Sequence, residues 1–132
     1  METINNMTDE AISKLYKDNG AFFAFGDKQL AEGLAEAKKN GFDIPKEDYR
    51  LMFGGLCCPL ANCKKVFNSM TEIYAKARKE QLEKYGKDAI IRYELDNHEY
   101  CITYDITDTW RAVCDYEGFT KEDVQRVANK HY

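Results

Sequence analysis

The residues best equipped for chemistry lie together in Glu94-Leu95-Asp96-Asn97-His98-Glu99-Tyr100, with Asp105 and Asp108 a few positions further on. If this stretch is helical, Glu94 and His98 stand four residues apart and share a face. A carboxylate and an imidazole so placed could hold a divalent metal together, or the carboxylate could orient the imidazole as a general base. The alternative is that the two side chains bond each other or the backbone and lock the turn that follows. That structural reading is favoured: two ligands leave a metal site incomplete, and the chain offers no HExxH, no paired CxxC and one further histidine, His131.

Cys57, Cys58 and Cys63, with Cys101 and His98, supply ligand types for zinc, but Cys58 and Cys63 are four residues apart in the gap and Pro59 intervenes. Packing is the better use of these small apolar thiols. Adjacent Cys57 and Cys58 would need a strained ring to bridge each other. No GxGxxG or Lys-Ser/Thr phosphate loop is present, and both serines, Ser13 and Ser69, fall inside expected helices. No cofactor is implied, and the balance is against an enzyme. The other reactive-looking feature is aromatic. Nine tyrosines and seven phenylalanines are a heavy load for 132 residues, and Tyr93, Tyr100, Tyr104 and Tyr116 crowd the C-terminal third beside Glu99, Asp105, Asp108 and Asp115. Tyrosines flanked by charge match the make-up of protein interfaces, so these eight residues are the expected partner-binding set, provided they are exposed.

The elements that must position these residues follow from periodicity. Thr8 caps a helix over Met7 to Asn19, with Ala11, Ile12, Leu15 and Tyr16 on one face and Gly20 as its stop. Ala21-Phe22-Phe23-Ala24-Phe25 is a compact apolar run of strand length, expected to be buried. Asp27 opens the next helix, in which Leu30, Leu34 and Ala37 recur at helical spacing until Asn40-Gly41 ends it. Pro45 to Phe53 reads as a short helix broken by Gly54-Gly55. Pro59 to Tyr85 has no internal glycine or proline and carries Cys63, Val66, Phe67, Met70, Ile73, Tyr74 and Ala77 as an apolar stripe, so it should be the longest helix. Asp88 to His98 forms another helix. Cys101 to Tyr104 alternates and could pair with Ala21 to Phe25 as an extended piece. Asp105 or Thr107 caps a helix through Trp110, Val113 and Cys114, and Thr120 with Glu122 and Asp123 caps the last one. The expected fold is α+β and predominantly helical, with about six or seven helices and a short two-stranded element. Residues 1–132 are expected to form a single globular domain.

Composition narrows the partners. Hydrophobic residues are 44% and charged residues 32% of the chain, enough to build a core and solvate a surface. Acidic and basic residues interleave around a net charge of −4, so nucleic acid is disfavoured. The basic cluster Lys76, Arg78, Lys79 and Lys84 is interrupted by Glu80 and Glu83 and reads as a solvated helix face. No apolar run approaches a membrane span, and Met1 to Asp9 has no basic leader. Five cysteines, an odd number, fit reduced thiols, so a cytoplasmic location is expected.

The stretch Tyr93-Glu94-Leu95-Asp96-Asn97-His98-Glu99-Tyr100, followed by Thr103, Asp105, Thr107, Asp108 and Gly118-Phe119-Thr120, resembles a family of small uncharacterised proteins from Firmicutes, their phages and mobile elements. That family carries a similar Tyr-Glu-Leu-x-Asn-His-Glu-Tyr motif, and the Phe22 to Gly41 segment resembles its N-terminal part. The resemblance implies a setting and no catalytic residue. Leu56 to Lys79, with Cys57, Cys58 and Cys63, departs from the family's pattern. Two functions stand against each other: a non-enzymatic protein-interaction module, such as an inhibitor of a host or defence factor, and a small ligand-binding or metal-dependent enzyme centred on Glu94 and His98. The first is favoured by elimination.

Overall fold

The computed structural model describes all residues, 1–132. Seven α-helices and one three-stranded antiparallel sheet make up the fold, so the α+β, predominantly helical class is correct. In chain order these are α1 (Ile4–Asp18), β1 (Phe22–Phe23), α2 (Asp27–Lys39), β2 (Tyr49–Leu51), β3 (Leu56–Pro59), α3 (Cys63–Tyr85), α4 (Lys87–Asn97), α5 (Tyr100–Thr103), α6 (Thr107–Val113) and α7 (Lys121–His131). Contacts divide the chain into two compact units, Thr8–Tyr74 and the remainder formed by Met1–Met7 with Ala75–Tyr132. The division falls inside α1 and α3. No helix is long and apolar enough to cross a membrane.

The unit Thr8–Tyr74 is organised around the sheet, in the order β1-β3-β2. The wholly buried β3, Leu-Cys-Cys-Pro, is the centre. Phe22 pairs with Cys57 and Phe23 with Leu56 on one side, and Tyr49, Arg50 and Leu51 pair with Pro59, Cys58 and Cys57 on the other. Two expectations are corrected here. The segment 45–53 is not a helix: after a single 3-10 turn at Lys46–Asp48 it becomes β2. Gly54 and Gly55 form the hairpin turn, both at positive φ (55° and 84°), with the Leu56 amide donating to Phe53 O at 2.9 Å. Glycine takes that backbone without a steric penalty, which is why the pair joins two strands and does not merely end a helix. Consequently β1 finds β3 and not Cys101–Tyr104, which folds as α5 and the residue capping it.

The aromatic run is also less buried than its composition suggests. Ala21 is buried, but β1 is an edge strand of two residues, and Phe23 and Phe25 remain 47% and 75% exposed. Phe22 turns toward α2, where a Cβ on Gly33 would lie 2.2 Å from its ring, so only glycine admits this approach. The core beneath the sheet gathers Ile12, Ala21, Leu56, Cys58, Val66 and Met70, with Leu15, Tyr16, Met52, Cys63, Ile73 and Tyr74 packed around them. At roughly 1.5–3 kcal/mol for each large side chain fully buried, this cluster supplies most of what orders so small a sheet.

The second unit is helical. Ile90, Ile91 and Leu95 of α4, Val113 of α6, and Val124, Val127 and Ala128 of α7 form its centre, closed by Tyr100, Tyr116 and Phe119. Thr120 caps α7 as the sequence indicates. Its hydroxyl accepts from Asp123 N at 3.1 Å, and Asp123 Oδ2 accepts from Thr120 N at 3.1 Å. Lys87 bridges the start of α4 to Asp123 at 3.0 Å, and Arg126 grips Asp88 at 2.7 and 2.9 Å. The N-terminal segment is tied down by the Glu2 amide, which donates to Tyr85 Oη at 2.9 Å, and by Gln81 Nε2, which donates to Glu2 O at 2.9 Å.

Candidate functional site

Glu94 and His98 meet as their spacing requires, Oε2 to Nε2 at 3.3 Å on the last turn of α4 and the residue that ends it, both half-buried. No three His, Cys, Asp or Glu side chains gather closely enough anywhere in the chain to hold a metal ion. The Glu94 backbone carbonyl accepts from the buried Thr109 hydroxyl at 3.4 Å, which ties α4 to α6 at the same level. The five cysteines are all free. Burial pushes the Cys57 thiol up, and it pushes Cys58 to about 12 with further help from neighbouring Cys63. Thiols held protonated in this way are poor nucleophiles, and Cys58 packs in the core beneath the sheet.

The eight residues expected to bind a partner do not form one surface. Tyr100 and Tyr116 are buried in the helical core at 6% and 8% exposure, Tyr93 is half-buried, and Tyr104 alone of the four stands out in solvent at 70%. Glu99 and Tyr104 bracket the single turn of α5 with positive φ values of 55° and 52°. The acids are exposed but partly occupied. Asp105 Oδ1 accepts from Thr107 N at 2.9 Å and from its hydroxyl at 2.6 Å, which holds the carboxyl below its ordinary range; the N-cap of α6 is Ile106, between them, and neither Asp105 nor Thr107 occupies that position. Asp108 faces Arg111 at 3.5 Å. Asp115 lies elsewhere, on a cavity shared with Tyr93, Glu94 and Tyr116.

An open apolar surface lies in the sheet-containing unit. A groove of about 570 Å3 runs between β2, the hairpin turn, the 3-10 turn Leu60–Asn62 and the first turns of α3. Its walls are Phe53, Leu60 and Phe67, which are 45%, 52% and 57% exposed, with Met52 and Cys63 at the base. Arg50 and Lys64 are the charged residues of the lining; neither makes an ion pair within the chain, and no carboxylate joins them. The register explains the placement. Arg50 lies opposite Cys58 on the outer strand β2, while Pro59 and the 3-10 turn redirect the chain so that Leu60 and the start of α3 flank that edge. On α3, Val66 and Met70 point into the core, leaving Phe67 at the margin of the apolar stripe and outside the packed interior.

A family model for a family of unknown function, DUF7659, matches residues 4–131. The chain belongs to this family. No curated protein matches the chain significantly, and no solved structure does. The DUF7659 match takes in both the groove and the Glu94–His98 pair.

Sequence reasoning missed the groove because it counted Phe53 into a helix and Phe67 into the core. Two signals were available. Gly54-Gly55 between Arg50-Leu51-Met52-Phe53 and Leu56-Cys57-Cys58-Pro59 has the form of a hairpin turn. Phe67 directly follows Val66, so a helix that buries one of them fully must swing the other by about 100°.

Proposed function

We propose that this chain is a non-enzymatic protein-interaction module whose binding site is the groove of Phe53, Leu60 and Phe67 beneath Arg50 and Lys64. The observation that carries the reading is the groove itself: three large apolar side chains stand in water around a concavity whose rim holds two unpaired cations. Soluble chains seldom leave such walls bare without a use for them, and each side chain fully covered is worth roughly 1.5–3 kcal/mol. The charge of the rim selects a partner segment with apolar side chains set among acidic ones. The likeness of the Tyr93 to Tyr100 motif to proteins of phages and mobile elements fits a role as a cytoplasmic inhibitor of a host or defence factor.

The test begins with a photo-crosslinking residue in place of Phe53, which identifies the bound protein, followed by binding of that purified protein to defined variants. Phe67→Ser and Leu60→Ser should each weaken binding by about tenfold or more, while stability falls by no more than about 1.5 kcal/mol, because each side chain is only about half covered. Tyr104→Ala should leave binding unchanged. Wild-type affinity in both groove variants, or a loss confined to Tyr104→Ala, would move the interface to the α5 region.

A further inference from the structure

The helical unit holds a cavity of different character, about 300 Å3 in volume, between the N-terminal segment, α3, α4 and the turn that follows α6. Arg78 from α3, Glu94 from α4 and Asp115 from the turn are its charged residues, with Tyr93 and Asn97 beside Glu94. Although they line one cavity, the side chains of Arg78, Tyr93, Asn97 and Asp115 make no hydrogen bond or ion pair with the rest of the chain. Glu94 is engaged through Oε2 only, by His98 at 3.3 Å. The floor, by contrast, is fixed. Gln81 is buried, its Oε1 accepts from the Tyr116 hydroxyl, and its Nε2 donates to Glu2 O at 2.9 Å.

Charges of opposite sign that share a cavity without pairing leave their hydrogen-bonding capacity to whatever enters it. Two carboxylates against one guanidinium give the lining one negative charge in excess. The complementary ligand carries one carboxylate and two cationic groups. The volume lies at the small end for ligand sites, enough for a single amino acid and too little for a nucleotide. We propose that this cavity binds a free basic amino acid, arginine or lysine, with its α-carboxylate on the Arg78 guanidinium and its two cationic groups on Glu94 and Asp115. Tyr93 and Asn97 supply neutral hydrogen bonds along the ligand. This site is independent of the groove in the other unit.

Titration calorimetry on the full chain at low salt, with L-arginine and L-lysine as probes, tests the assignment. One of them should bind saturably at one site per chain. Agmatine, which lacks the carboxylate, and N-acetyl-L-arginine, which lacks the α-ammonium group and imitates the end of a protein chain, should each bind about tenfold more weakly. L-glutamate should not bind. Asp115→Asn, an exposed position, should weaken the preferred amino acid by about tenfold while the circular dichroism spectrum stays unchanged. Arg78→Gln should do the same and should also erase the difference between arginine and agmatine; if that variant fails to fold, Asp115→Asn decides. No saturable binding of either amino acid up to about 10 mM, agmatine or N-acetyl-L-arginine binding as tightly as arginine, or full affinity in Asp115→Asn would each overturn the proposal.

Discussion

Removing the hydroxyl of Tyr116 isolates one buried bond and makes two separate predictions. Tyr116 is 8% exposed and Gln81 4%. The phenol donates to Gln81 Oε1, while Gln81 Nε2 holds the N-terminal segment through Glu2 O. Tyr116→Phe keeps the ring and its stacking on Phe119, at 4.9 Å between centroids, but leaves a buried amide oxygen without a donor. An orphaned acceptor of this kind costs about 1–3 kcal/mol. With about 2.1 cal/mol/K of unfolding entropy per residue over 132 residues, the melting temperature should fall by about 4–10 °C. The double variant with Gln81→Met should lose less than the sum of the single changes, because neither side of the Tyr116–Gln81 bond then leaves a buried polar atom behind. The second prediction concerns pH. Burial first, and then the Glu94 carboxylate, push the Tyr116 phenol up to about 12, with Arg78 opposing. An unfolded tyrosine titrates near 10, so between about pH 10 and pH 12 the unfolded chain releases a proton that the folded chain keeps. Stability is complete below that window and falls as pH rises through it, by on the order of 2 kcal/mol from this group. Tyr116→Phe should therefore lose less stability than wild type over the same interval. Urea denaturation at pH 7 and at steps from pH 9.5 upward measures both effects. A variant that melts within about 1 °C of wild type at pH 7, with an unchanged alkaline slope, would refute the claim that this bond organises the unit.

Four other substitutions probe different parts of the fold. The buried Tyr49 hydroxyl has no hydrogen-bond partner, so Tyr49→Phe should leave stability equal or raise it by about 1 kcal/mol in a denaturant titration. Thr120→Ala removes the side-chain half of the α7 capping box and should cost about 1 kcal/mol. Lys87 is the first cause, with bonds from Thr120, that holds the Asp123 carboxyl below its ordinary range. That contribution is present above about pH 4 and is lost as pH falls through the lowered value, so Lys87→Met should move acid unfolding to higher pH. His98→Gln removes the imidazole from Glu94 and should cost no more than about 1 kcal/mol, with the metal content of the purified protein the same before and after. Stoichiometric metal that disappears in this variant would return Glu94 and His98 to the centre of a metal-dependent enzyme.

Local chemistry in the sequence determined most helices and where they stop, but not every start: α1 begins at Ile4 with Thr8 inside it, and Ile106 is the N-cap of α6. Gly41 stops α2 at a φ of 95° after Asn40, where sterics leave little alternative to glycine. Thr120 and Asp123 cap α7 through bonds that span three residues, and Glu94 meets His98 because four residues make one helical turn. Each of these depends on neighbours in the chain, so a pattern of residue types suffices to find it. What only the tertiary structure decided depends on residues far apart. Phe22 chose Cys57 as its strand partner over the segment Cys101–Tyr104, and no local preference ranks two candidate strands separated by such different lengths of chain. Exposure follows the same rule. The same aromatic types lie under the helices at Tyr100 and Tyr116 and in water at Phe67 and Tyr104, because burial is set by which other element arrives to cover a side chain. The charged cavity is assembled from segments distant in sequence, and the groove, although its lining lies within residues 50–67, takes shape only when the hairpin and the turn after Pro59 bring β2 beside the start of α3.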